Sequence, residues 1–248
     1  MKNSSQDVAS GDAPFWKQRS WQLAATFLGA ALVISLISAV TDRPNDTDDT
    51  GVSVLSGPLA NGSAPEVGER PGECRTNDAD GAPPRTAPRD VKWRKLGGAQ
   101  VPMSSSAGPT RKTGPLLWCF AHTPMGAVMA AHVIPAQMTT RNWRTVVAQQ
   151  VVPGFSRDLF ISQRASIPEL DAESRATGEF SGFSLKQYAD DTATVQLLVK
   201  SSEGLQAATS VSLRWSGGDW KVEPAVDGSL HWGMDFMQTA GGFVMWGR

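Results

Sequence analysis

Residues 20–41 form an uncharged, mostly apolar stretch of 22 residues in a chain of 248. A helix of this length rises about 30 Å, which matches the hydrocarbon core of a bilayer. We therefore predict a transmembrane helix over 20–41. Everything after it would then lie on one side of a membrane, which limits what the rest of the chain can bind.

The charges that flank this stretch predict its orientation. Lys2, Lys17 and Arg19 precede it, whereas Arg43 is the only basic residue among the first twenty or so that follow. Because the basic residues that flank a membrane helix lie mainly on its cytoplasmic side, residues 1–19 should be a short cytoplasmic tail. The protein would be a single-pass protein of the cell membrane with an extracellular C-terminal part.

A cleaved signal peptide is the alternative interpretation of the same flanks. The apolar run is longer than the apolar region of a usual signal peptide, which has about 7–15 residues. The best cleavage site follows Ala39, but it places Ile37 where a small residue is required. A retained signal-anchor is therefore favoured, and both interpretations export the C-terminal part.

The charge balance excludes a class of partner. The chain has 23 basic and 24 acidic residues, and its formal net charge is −1. Residues 116–248 alone carry 10 basic and 12 acidic residues. Since nucleic-acid binding depends on an excess of basic residues, we expect no direct contact with nucleic acid.

Residues 42–115 are rich in proline and glycine. They hold 10 of the 16 prolines and 10 of the 24 glycines, with balanced charges and few large apolar residues. Such a composition predicts a mostly disordered extracellular linker. Within it, residues 91–96 alternate apolar and basic side chains. They predict a short edge strand or an arm on the domain, and contact with anionic lipid or cell-wall polymer is the alternative.

Cys74 and Cys119 are the only cysteines, and both would lie outside the membrane. An oxidising compartment permits a disulfide between them, which would fasten the linker to the domain. Alternatively, Cys119 is a buried apolar residue and Cys74 is free or pairs between chains. Two cysteines do not make a zinc site, and the three histidines lack metal-ligand spacing, so no metal and no cofactor is expected.

Residues 116–248 have the length of one folded domain. Thr123-Pro124 is typical of a helix start, and the apolar run to Met138 predicts a buried first helix that Pro135 kinks or ends. A second helix should start after Thr140 and a short third one at Arg157.

After about residue 178 the apolar period changes to two. This pattern predicts four strands, at 180–188, 193–199, 207–215 and from 220 onward. Helices followed by a meander of antiparallel strands indicate an α+β fold in which two to three helices pack on a four-stranded curved sheet. The segment 232–246 should pack back on the sheet, and a docking tail is the alternative.

This order of elements, ending in a Trp-x-Gly-Gly-x-Trp-x-Val hairpin, resembles the cystatin-like roll of nuclear-transport-factor-2-like (NTF2-like) proteins. An anchor, an exported linker and such a domain are also the layout of the VirB8-type and TcpC components of conjugative type IV secretion machines. Several short sequence motifs are also similar to those of actinobacterial integral membrane proteins found with conjugative elements. The residues that carry the resemblance are Gly114-Pro115, Cys119 to Ala127, Val152-Pro153-Gly154 and Gly242 to Gly247.

No catalytic signature accompanies this resemblance. Enzymes of the NTF2-like roll keep an acid or base between helix and sheet, and the candidates for that position are His122, His132, Asp158, Tyr188 and Asp235. None of these residues has a catalytic partner at a recognisable spacing in the sequence. We therefore expect that the protein is not an enzyme and has no catalytic residue.

The resemblance implies a membrane scaffold, an interaction component of a conjugative, type IV secretion-like apparatus. Its partners would be the lipid bilayer through 20–41, other transfer-apparatus proteins and further copies of itself. The alternatives are an exported NTF2-like module that binds a small ligand or cell-wall polymer, and an exported enzyme of the ketosteroid-isomerase type.

Overall fold

A computed structural model describes residues 57–59, 70–168 and 178–247. All of them belong to one compact unit. The predicted transmembrane helix over 20–41 and the tail 1–19 lie outside the described residues. Within those residues, no helix has the length and apolar character needed to cross a membrane.

Two short hairpins open the described chain. Strands β1 (Lys92–Leu96) and β2 (Ala99–Met103) pair antiparallel. Gly97, at a φ of 57°, allows the tight turn between them because glycine has no side chain to clash there. Strands β3 (Arg111–Thr113) and β4 (Leu116–Trp118) form the second hairpin.

Three helices follow. Helix α1 is Pro124–Gln137, α2 is Trp143–Gln150 and α3 is Phe155–Ala165. The Thr123 side chain caps α1 by accepting a hydrogen bond from the N–H of Gly126, and proline occupies the first helical position, as the sequence predicts.

The largest sheet has six antiparallel strands. Their spatial order is β10-β5-β6-β7-β8, and β9 pairs with the other end of β7 beside β8. The strands are β5 (Gly178–Tyr188), β6 (Thr192–Ser201), β7 (Gln206–Ser216), β8 (Asp219–Val222), β9 (Trp232–Met237) and β10 (Val244–Met245).

Helix α1 is the centre of the core. Every one of its residues except Met125 is buried, because it contacts both the six-stranded sheet and β2 of the first hairpin. Side chains from the hairpin region, from α2 and from the main sheet fill the space around α1. The largest of them are Trp118, Phe120, Trp143, Phe183 and Trp220. The hairpins therefore form part of the hydrophobic core.

The predicted fold class is wrong. The described chain is mostly β, with ten strands and three helices, and its main sheet has six strands where four were expected. The elements between 124 and 222 lie close to their predicted positions. The predicted roll is wrong because it includes neither the four N-terminal strands nor the two C-terminal strands, β9 and β10.

The prediction of a disordered linker is also wrong for residues 70–115. The three strands β1 to β3 fall inside it, and Val101 is completely buried. Further upstream, the N–H of Leu59 donates to Gln149 Oε1 at 3.3 Å and its carbonyl accepts from Lys221 Nζ at 3.3 Å. Proline and glycine here make tight turns between short strands.

Candidate functional site

A buried carboxylate organises the polar centre of the domain. Asp219, at the start of β8, is fully buried and accepts hydrogen bonds from the N–H groups of Cys119, Phe120 and Trp220 at 2.7, 2.9 and 2.9 Å. Burial raises its pKa to about 6, although these three bonds and Arg70 oppose the shift. Asp219 thereby ties residues 119–120 to β8.

A disulfide fixes the same segment from the other side. Cys74 and Cys119, 45 positions apart, are bonded to each other, and both side chains are buried. Of the alternatives that the sequence leaves open, the structure has the intramolecular bridge. Cys119 itself has a φ of 70°, a left-handed conformation that is uncommon outside glycine.

Arg70 extends this fastening. Its guanidinium donates to the carbonyl of Gly218 at 3.3 Å and to the carbonyl of Phe120. It forms an ion pair with Asp78 at 2.8 Å and lies over the ring of Trp215, 5.1 Å from the centroid. Residues 70–78 are therefore held against the β7–β8 turn by charge-assisted hydrogen bonds as well as by the disulfide.

His122 completes the group. Its imidazole stacks on Trp215 with ring centroids 3.9 Å apart, and its Nε2 lies against the carbonyl oxygen of Asp190. Asp78 accepts a hydrogen bond from the backbone N–H of His122 at 2.8 Å, and none from the ring. The arrangement therefore lacks the carboxylate-to-imidazole bond that orients a catalytic histidine.

Tyr188 lies in the same region, since its ring and that of His122 each approach Trp220, at 6.0 and 5.9 Å. Burial, Asp190 and Asp78 raise the pKa of the Tyr188 hydroxyl. We call Arg70, Asp78, His122, Tyr188 and Trp215 the Trp215 cluster. Arg70 and His122 contact backbone carbonyls, and Arg70 pairs with Asp78, which is the arrangement of a structural junction.

The other sequence candidates lie elsewhere. His132 is fully buried in α1, Asp158 is on the exposed first turn of α3, and Asp235 is exposed on β9. The structure thus brings together His122 and Tyr188 alone. Within the described ranges, no three His, Cys, Asp or Glu side chains lie close enough to hold a metal ion.

An apolar surface lies on β9, within the segment 232–246 for which the sequence leaves a docking tail as the alternative. Met234 is 66 % exposed and Phe236 76 % exposed, and both belong to a strand at the edge of the main sheet. In the described part of the chain only β7 pairs with β9, so the other side of the strand has no strand beside it. In the sequence, the apolar residues Met234 and Phe236 on either side of Asp235 are the pattern that indicates this surface.

The fold and these sites define a mostly β domain, fastened at its N-terminal side by a disulfide and exposing an apolar edge strand. The chain belongs to the family described as a domain of unknown function, DUF8175, which matches residues 56–245. No curated protein and no solved structure matches the chain. The match covers the hairpins as well as the sheet, and it carries no support for the resemblance to VirB8-type and TcpC proteins.

Proposed function

We propose that this chain is a membrane-anchored, exported module that binds another protein through strand β9. The uncharged stretch 20–41 and the basic residues before it support the anchor and its orientation. The disulfide between Cys74 and Cys119 supports an oxidising compartment, where such bonds persist.

The exposed edge of β9 is the observation that carries the interaction. An edge strand presents unpaired N–H and C=O groups, and natural proteins usually protect such edges with charge, proline or a covering segment. Here Phe236 lies opposite Ala207 of β7 and leaves 76 % of its surface to solvent. Together with the exposed Met234, Phe236 gives this open edge an apolar surface, and open edges are sites where a strand of another protein can pair.

The chemistry of β9 indicates the kind of partner. An extended segment of another protein would add a strand to β9 and gain main-chain hydrogen bonds. Its apolar side chains would cover Met234 and Phe236, and a lysine or arginine would face the exposed carboxylate of Asp235.

The proposal assigns no reaction to the protein. The predicted place in a conjugative transfer apparatus and the predicted self-association stay predictions, because the family match states no activity. The NTF2-like ligand-binding alternative is not retained, since the described fold has a different sheet and a core filled by α1.

Two matched substitutions test the proposal in the full-length protein. Phe236→Ser removes the aromatic side chain from β9, and Phe155→Ser removes one that is 77 % exposed at the start of α3. Truncating a central interface side chain costs about 2 kcal/mol or more, which weakens binding at least about thirtyfold. Membranes carrying each variant are solubilised, and the size of the complex is measured by native electrophoresis.

We expect Phe236→Ser to release the chain from its complex and Phe155→Ser to leave the complex intact. Both variants should still sediment with membranes, because the anchor is untouched. A complex of unchanged size in Phe236→Ser, or equal loss in both variants, would contradict a role for β9.

A further inference from the structure

Positive charge is concentrated in the N-terminal part of the described domain. Residues 70–118 hold nine basic and four acidic residues, whereas the remaining described residues hold eight basic and nine acidic ones. The balanced composition of 42–115 conceals this separation, because six of its acidic residues precede residue 70. The hairpin region is therefore a basic surface on a nearly neutral domain.

Eight of these nine basic side chains are exposed. Arg70 is the exception, since it belongs to the Trp215 cluster. None of the eight forms an ion pair with another described residue. The eight, which we call the basic surface, are Arg75, Arg85, Arg89, Lys92, Arg94, Lys95, Arg111 and Lys112.

Two open cavities connect several members of the basic surface. Arg85 and Arg89 line one of about 500 Å³ together with Ser106, and Lys92 lines a second of about 520 Å³ together with Ser104 and Thr110. The loop 104–110 is the shared wall, and it leads directly into Arg111 and Lys112. Three of the eight charges thus lie beside this loop, and two more follow it directly in the chain.

Asp78 and Asp90, two of the four acidic residues of this region, are occupied by other groups. Although burial raises the pKa of Asp90, hydrogen bonds from Ser105, Ser106 and Ser104 hold it at about 2. The carboxylate accepts from the Ser105 hydroxyl at 2.7 Å and from the Ser106 N–H at 2.8 Å. These bonds fix the shared loop, and Asp90 lines the second cavity together with Lys92.

We infer that the basic surface binds the anionic phospholipid headgroups of the membrane to which the chain is anchored. Charge complementarity is the first reason, because clustered Lys and Arg side chains are attracted to acidic lipid surfaces. The second is distance along the chain, since Leu59 is held on the domain and the 17 residues 42–58 reach at most about 60 Å when extended. The inference rests on the proposed function for the anchor, whereas the attraction between the basic side chains and anionic headgroups does not require it.

This inference gives the domain a fixed orientation. The hairpins are joined to the core by the disulfide and by β2, so a basic surface held at the headgroups would orient the whole domain relative to the bilayer. The attraction between exposed charges and headgroups is screened over about 8 Å at physiological ionic strength, so salt should weaken it.

Amine labelling of the full-length protein tests the inference. The protein is reconstituted into vesicles of phosphatidylcholine alone or of equimolar phosphatidylcholine and phosphatidylglycerol, and an amine-reactive reagent is added outside. Mass spectrometry then gives the labelling rates of Lys92, Lys95 and Lys112, with the exposed Lys200 of β6 as internal control.

We expect labelling at Lys92 and Lys95 to fall about tenfold in the anionic vesicles and to recover in high salt, while Lys200 is unchanged. Lys92→Glu combined with Lys95→Glu should abolish the protection of Lys112, and Lys186→Glu combined with Lys200→Glu should preserve it. Equal rates in both kinds of vesicle would overturn the inference, as would protection of Lys200 alone.

Two further arms separate the alternatives. If soluble polyphosphate protects these lysines and anionic vesicles do not, the surface takes a soluble polyanion and the lipid contact is refuted. Flotation with neutral vesicles in high salt reports the anchor alone. Loss of flotation together with retained protection by added anionic vesicles would refute the anchor and support the basic surface.

Discussion

His132 gives the domain a pH dependence that can be worked out in sign and size. The side chain is fully buried in α1, its Nδ1 lies 2.7 Å from the carbonyl oxygen of Val128, and Trp246 Nε1 donates to its Nε2 at 3.2 Å. This pattern requires a neutral imidazole with the proton on Nδ1. Burial lowers the pKa of His132 from 6.5 to about 4, although the bond to Val128 opposes the shift.

The sign follows from proton binding in the two states. Between about pH 6.5 and pH 4 the unfolded chain protonates His132 and the folded protein does not, so the unfolded state gains stability as the pH falls. The fall of the His132 pKa from 6.5 to about 4 corresponds to roughly 3 kcal/mol. The stabilisation from a neutral His132 is complete above about pH 6.5 and is lost as the pH falls toward 4.

Substitution of His132 by leucine isolates this effect. Asp219 acts in the opposite direction, because its raised pKa of about 6 favours the fold at low pH and this contribution is lost as the pH rises through 6. Both proteins keep Asp219, so its contribution cancels in the difference between them.

The assay is urea denaturation followed by tryptophan fluorescence, with extrapolation to water at a series of pH values. The free energy of unfolding of the wild type, minus that of His132→Leu, should fall by about 3 kcal/mol between about pH 7 and pH 4. A difference that stays constant over this range would refute the assignment of a buried neutral His132.

Three other substitutions test the way the domain is fastened. Replacing Cys74 and Cys119 by serine opens a loop closed across 45 positions and should lower the free energy of unfolding by about 4 kcal/mol. The measurement is urea denaturation of the variant and the wild type, with and without reductant. An unchanged midpoint would show that the bridge contributes nothing. Gln137→Leu removes the amide that pairs with the N–H and C=O of Leu117 and should cost about 3 kcal/mol in thermal unfolding, so wild-type stability would contradict this role. Gly126→Ala places a Cβ 1.9 Å from the carbonyl of Ala121 and should cost about 2 kcal/mol or more, whereas a variant as stable as wild type would show that the α1 contact can relax.

Local signals in the sequence located the central elements well. Thr123-Pro124 marks the start of α1, because a hydroxyl cap and a proline at the first position both favour a helix there. The period of two places strands β5 to β8 within two residues of their observed ends. These features depend on neighbouring residues alone.

Apart from β1, which the alternation at 91–96 predicts, the N-terminal hairpins could not be derived in this way. Leu117 is buried because its N–H and C=O are paired with Gln137 and Gln150, which lie 20 and 33 positions further along the chain. Composition alone assigned the preceding segment to a linker. A chain rich in proline and glycine is ordered here because a disulfide and a distant helix supply the contacts that its own side chains lack.

The Trp215 cluster was beyond reach for the same reason. His122 and Tyr188 were single candidates in the sequence, and only the fold brings both against Trp220. Arg70 was not recognised at all, since its partners Phe120 and Gly218 lie far along the chain and accept through backbone oxygens. No local pattern encodes such a contact.

The central claim is that β9 touches another protein, and photo-crosslinking measures this contact directly. A photoreactive phenylalanine analogue replaces Phe236 in the full-length protein, and a second protein carries it at Phe155, which is equally exposed. After illumination of intact membranes, we predict a discrete adduct from position 236 and none from position 155. The absence of an adduct at 236, or the same adducts from both positions, would contradict the account.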